Sequence, residues 1–157
     1  MFKTIVWATD GSETADRALP YATALASAEG ARIVALHCKE IFVGGRAGGY
    51  PLFADEDQLE EKVRGQVNAA EAAGLTASLE VVTDAAGHVA HAIADAAARE
   101  HADVIVIGTR GHAPVAGLLV GSVTQRLLHV APCPVLAVPP NLVTTSDRAE
   151  REGTLVA

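Results

Sequence analysis

Aromatic residues are scarce in this chain, at 4% of the total, and methionine occurs once. A core must therefore be filled by Val, Ile, Leu and especially Ala, since hydrophobic residues still make up 50% of the sequence. Basic residues are also few: 12 Lys and Arg against 19 Asp and Glu leave a formal charge of −7. That balance argues against nucleic acid as a partner, because phosphate-backbone binding wants a basic face. No run approaches the ~18 consecutive apolar residues of a membrane span. The opening "MFKTIVWATDGS" carries a single Lys and meets an Asp early, unlike a secretory leader. Two cysteines, Cys38 and Cys133, make neither a disulfide framework nor a metal-binding spacing. A cytoplasmic protein without a membrane partner is expected.

What the chain does contain is an alternation of strand and helix patterns over 157 residues, a length that suits one domain. Apolar runs at 3–9, 32–38, 77–83, 103–108 and 134–139 read as strands. Most are nearly continuous in Val and Ile, as strands covered on both faces are, while 77–83 alternates like an edge strand. Between them lie apolar stripes at helical spacing. One runs through Ala15, Ala18, Leu19, Ala22, Leu25 and Ala26, a second through Leu59, Val63, Val67 and Ala70. Val89, Ile93 and Ala96 form a third, and Val123, Leu127 and Val130 the last. Pro20 predicts a kink in the first helix or a late start. The acidic run at 54–62 reads as a solvated helix start. This pattern defines an α/β domain with an open five-stranded parallel sheet and helices on both faces. Residues 1–140 form the expected domain and 141–157 a polar tail expected to fray. The Gly-rich stretch 42–55 is a candidate lid.

In such sheets ligands bind beyond the carboxyl ends of the strands, where strand order reverses. With the first strand central, two loops face that crevice: "TDGS" at 9–12 and "GTRGHAPVAGLLVGSVT" at 108–124. Gly121 and Ser122 lie where the last helix begins, so unpaired N–H groups and the helix dipole favour phosphate there. The Ser122 and Thr124 hydroxyls are candidate phosphate donors, Gly108 and Gly111 border the sugar, and Arg110 is either in reach of the same region or a solvent-facing charge. Asp10 suits a sugar hydroxyl or a phosphate-bound cation, with helix capping beside Ser12 as the structural alternative. The chain lacks "GKS" and "GKT", so it is no P-loop NTPase, and its first strand–helix turn lacks G-x-G-x-x-G. A mononucleotide held by backbone and hydroxyl groups is the expected ligand. No phosphate lysine and no base for water are evident, so rapid hydrolysis is not expected and no catalytic residue is assigned.

His88 and His91 share a helix face at i, i+3, but no third ligand accompanies them and metal binding is disfavoured. His37 and His129 read as satisfied strand- or helix-end residues. A Cys38–Cys133 bridge would have to span three strand spacings, roughly 14 Å, beyond the ~7 Å reach of a disulfide. Two free thiols are expected.

The spacing G-x2-G-x9-G-[ST], met by Gly108, Gly111, Gly121 and Ser122 and followed by "VT", resembles the ATP-binding subgroup of the universal stress protein family. "TDGS" after the first strand and "CPVLAVP" as the last belong to the same likeness, which covers roughly residues 2 to 139. The resemblance implies a single-domain Rossmann-like fold of the adenine nucleotide alpha hydrolase-like kind, with strand order 3-2-1-4-5. It also implies a homodimer through the last strand, ATP with Mg2+ as ligand, and a regulatory role in stress response. Adenine would touch Ala8, Thr9 and Cys38, and Asp10 would serve the ribose or the nucleotide-bound Mg2+. Gly108, Thr109, Arg110, Gly111 and His112 would line the ribose and phosphates, and Gly121, Ser122, Val123 and Thr124 would hold the phosphates. Cys38 departs from the aliphatic residue common at its position, and His112 stands where the family varies. Alternatives are a cyclic-nucleotide binder, a partner-binding stress protein that needs no nucleotide, or a slow ATPase.

Overall fold

Successive residues of a strand face opposite sides of a sheet, so each strand here must satisfy two different helix layers. The computed structural model describes residues 1–43, 49–51, 55–84, 87–110 and 120–140. Along the chain they form β1 (Thr4–Thr9), α1 (Glu13–Asp16), α2 (Leu19–Glu29), β2 (Arg32–Val43), β3 (Gly49–Pro51) and α3 (Glu56–Ala72). There follow β4 (Ala77–Asp84), α4 (Val89–Arg99), β5 (Val104–Gly108), α5 (Ser122–Val130) and β6 (Val135–Val138). The parallel sheet runs β4-β2-β1-β5-β6. Counting only its parallel strands, this is the expected order 3-2-1-4-5.

β1 is central and buried along its length. Ile5 and Trp7, with Ile33, Ala35, Val104 and Val106, pack on one face against Ala18, Ala22 and Ala26 and against Val63 and Val67 of α3. Val6 and Ala8, with Val34, Leu36, Ile105 and Ile107, face α4 and Leu127 of α5. α4 meets the sheet through Ala90, Ala94, Ala96 and Ala97 around a single large residue, Ile93. Such small contact residues set a short distance between packed layers. β4 lies at one edge with only half-buried or exposed residues, as its alternation predicts. β6 closes the other edge, where Leu136 is 37% exposed.

Two local details refine the sequence reading. Pro20 falls in the first turn of α2, after α1 has ended, where its missing N–H costs no helix bond. β2 continues past 38 to Val43 and pairs there antiparallel with β3, through Ile41↔Pro51, Phe42↔Tyr50 and Val43↔Gly49. Part of the candidate lid is thus a short hairpin, while 44–48 and 52–54, like the tail from 141, lie outside the described residues.

Trp7 is fully buried, and its indole N–H donates to the Ala15 carbonyl at 3.1 Å. It fastens α1 against the central strand. Trp7→Phe keeps an aromatic ring but opens a gap and drops the donor. Urea denaturation should show a loss of about 1–3 kcal/mol with little change in slope.

Candidate functional site

The strand order reverses between β1 and β5, and the turns leaving these two strands make opposite sides of one crevice. In the first turn, Asp10 Oδ1 accepts the Ser12 N–H at 3.0 Å and Thr9 Oγ1 accepts the Gly11 N–H at 3.1 Å. Ser12 Oγ accepts the Ala15 N–H at 3.2 Å and so caps α1. Gly11 has φ 77°, and a Cβ there would lie 2.9 Å from Leu59 Cδ2. The turn therefore requires glycine for both conformation and space.

α3 holds this turn from behind. Lys62 Nζ donates to the Gly11 carbonyl at 2.7 Å and to Asp16 at 2.5 Å. Glu56 is 2% exposed and bonds His37 Nε2, while His37 Nδ1 meets the Thr9 carbonyl at 3.0 Å. A carbonyl only accepts, so Nδ1 is the donor of this contact and Nε2 is turned to the Glu56 carboxyl. Glu56 thus departs from the solvated role expected of its acidic run. His37 is satisfied, as expected.

The second turn begins at Gly108, where a Cβ would lie 2.9 Å from the Thr14 carbonyl oxygen. The Gly108 carbonyl accepts the Thr124 hydroxyl at 2.9 Å. That hydroxyl was expected to donate to phosphate, but its proton is used to lock α5 to the strand end. The Thr109 N–H donates to the Val138 carbonyl at 2.9 Å, and the Thr109 carbonyl accepts the Gly121 N–H at 2.6 Å. Gly121 is the N-cap of α5 with no side-chain cap, so among the described residues the first-turn N–H groups have no acceptor.

Between the turns lies a cavity of about 370 Å³, within the range of small-molecule sites. Ala8, Thr9, Asp10, Cys38, Gly108, Arg110, Gly121, Ser122, Val123 and Thr124 all line it. Of the other expected site residues, Thr109 is buried beside it, its hydroxyl unbonded among the described residues. Gly111 and His112 fall outside the described residues.

Several lining residues escaped the sequence reading: Glu40, Glu56 and Arg126, and the α4 wall from Gly87 to His91. Asp84 accepts the His88 N–H at 2.6 Å and ties that wall to β4. The His88 and His91 rings stand edge to face with centroids 6.0 Å apart. No group of three or more metal-ligating side chains occurs among the described residues. Burial pushes the Cys38 thiol up to about 12, with the carboxylates of Asp84, Glu40 and Glu56 adding to the effect. Cys38 and Cys133 are both free thiols.

An open, doubly wound α/β domain with a ligand-sized cavity at its switch point is the class that this fold and site define. The chain belongs to the universal stress protein family, whose model matches residues 1–139. It is 43% identical over 140 residues to the "Universal stress protein in QAH/OAS sulfhydrylase 3′ region" of Thermus aquaticus, covering 88% of this chain and 99% of that one. Universal stress protein UspA from Lactobacillus plantarum shares the fold, with a TM-score of 0.70 at 21% identity over 87% of this chain and 97% of that one. A universal stress protein solved in complex with cAMP has a TM-score of 0.65 at 27% identity, covering 88% and 97%. No described helix is long and apolar enough to cross a membrane.

Two outcomes follow from the buried groups. Glu56→Ala leaves His37 without its buried partner and should cost about 3–5 kcal/mol in chemical denaturation. Truncating the exposed Glu61 of the same helix should change stability by less than about 0.5 kcal/mol. For Cys38, the unfolded chain releases its proton near the ordinary 9.0 and the folded chain only near about 12. Its contribution to stability is therefore complete below the lower value and is lost as pH rises toward the upper one. Urea midpoints measured across that window should fall less steeply in Cys38→Val than in the parent.

Proposed function

We propose that this protein binds an adenine nucleotide, ATP with Mg2+, as a regulatory ligand in stress response, and hydrolyses it slowly or not at all. The observation that carries this reading is the start of α5 at Gly121, uncapped among the described residues, which lines the same cavity as Asp10 at the switch point. A helix start of this kind offers N–H donors and positive dipole charge to phosphate. The cavity fits such a ligand on a second count. A Cβ at Gly121 would meet Thr109 O only at 3.4 Å, an ordinary contact, so that glycine is not required by the protein's own packing. Its bareness leaves backbone open to the ligand. Arg110 and Arg126 line the cavity but no lysine does among the described residues, which supports holding over rapid phosphoryl transfer.

In this reading Ala8, Thr9 and Cys38 border the base. Gly108, Thr109, Arg110, Gly111 and His112 border the ribose and phosphates, and Gly121 to Thr124 hold the phosphates. Thr124 acts through its backbone, since its hydroxyl is engaged. Asp10 serves the ribose or the Mg2+, whose remaining ligands would come from the phosphates and water. Residues 1–140 make the functional domain, and two copies pair through β6, whose Leu136 edge suits a second strand. The relative solved with cAMP supports a second reading, in which the ligand is a cyclic nucleotide.

Mass spectrometry of nucleotide released from purified protein, followed by calorimetric titration with ATP, AMP and cyclic AMP, separates these readings. Gly121→Val should fold normally yet weaken ATP binding roughly tenfold or more, about 1.4 kcal/mol. Unchanged affinity in that variant would overturn the site, and release of no nucleotide with no binding would overturn the function.

A further inference from the structure

The β2 end of the cavity is rich in hydrogen-bond acceptors. Leu36, Cys38 and Glu40 alternate along the strand onto one face, and all three line the cavity. Strand register sets Glu40 beside Asp84 of β4. Burial first, then the charges of Asp84, Glu56 and Asp10, push the Glu40 carboxyl above its usual range, with no hydrogen bond among the described residues to offset them. Its sequence neighbour does not neutralise it, because Lys39 is paired with Glu60 of α3 at 2.6 Å. Asp84 is turned to the His88 N–H.

A ligand that presents an N–H donor at this point relieves both burdens on Glu40. Distance indicates which part of the ligand arrives there. β2 and β5 flank β1, so their ends are two strand spacings apart, about 10 Å. A nucleotide whose phosphates meet the start of α5 beyond β5 therefore lays its base over β1 toward β2. Resting on the nucleotide reading above, we infer that the Glu40 carboxylate accepts a hydrogen bond from the 6-amino group of the purine. Glu40 thereby separates 6-amino from 6-oxo purines. A 6-oxo purine sets a second acceptor against the carboxylate at this position and carries its nearest donor, N1–H, one ring atom away, which disfavours it.

ATP and ITP share ribose, phosphates and Mg2+ and differ only at the purine edge, where the 6-amino group becomes 6-oxo and N1 gains a hydrogen. The change of their ratio in a Glu40 variant therefore isolates the contact from any role of Glu40 toward ribose or metal. Calorimetric titration of the purified protein with each Mg2+ nucleotide should give ATP at least roughly tenfold tighter than ITP. Glu40→Gln has an amide that presents either a donor or an acceptor, so the ratio should narrow to within about threefold, mainly through gain of ITP binding. A wild-type ratio retained in Glu40→Gln, or equal affinities in the parent, overturns the role of Glu40 and leaves the nucleotide site standing. If neither nucleotide binds the parent protein, the nucleotide reading fails and this inference fails with it.

Discussion

The site depends on how closely the chain approaches itself at Gly108. With no side chain there, the end of β5 lies against the Thr14 backbone in the first turn of α1. From this point three hydrogen bonds spread outward. The Gly108 carbonyl accepts the Thr124 hydroxyl, the Thr109 N–H donates to the Val138 carbonyl, and the Thr109 carbonyl accepts the Gly121 N–H. One strand end thereby fixes the neighbouring strand, the first helix and the start of the last helix together. A larger residue would separate the two sides of the cavity before any ligand entered it.

The opposite side of the crevice is set by a different kind of contact. The turn from Thr9 to Ser12 carries its own Asx and capping bonds, but its position relative to the sheet comes from α3. Lys62 reaches the Gly11 carbonyl, Leu59 packs under the glycine, and Glu56 reaches the Thr9 carbonyl through His37. A buried pair of this kind gains little net stability, since both groups are removed from water. What it supplies is placement: the carbonyl at the end of β1 cannot shift without breaking a relay that ends on another helix.

These contacts also explain which parts were legible in the sequence. Val- and Ile-rich runs between helical stripes specify a parallel sheet because burial on both faces admits few alternatives. Gly108 was legible for a related reason, since its close backbone approach tolerates no other residue. The extension of β2 was not, because Lys39 and Glu40 interrupt the apolar pattern while the ladder to Thr83 and Asp84 continues. Nothing in an acidic run marks Glu56 as the buried member, for its partner, His37, lies on a distant strand, β2. His88 and His91 could be placed on one helix face, but only the packed fold shows that this face closes the cavity. A threonine at a helix start serves a ligand or a carbonyl equally well, and the sequence leaves Thr124 undecided.

The helix carrying that wall rests on methyl groups. Ala94, Ala96 and Ala97 are buried where α4 packs, while Gly87 to His91 at its start form one side of the cavity. The width of the binding space is therefore set partly from behind, by residues on the far side of the wall. An added methylene beneath the helix would tilt or lift it as a rigid rod and carry the histidines outward. Relatives could thus diverge in the ligands they accept while keeping every contacting residue identical.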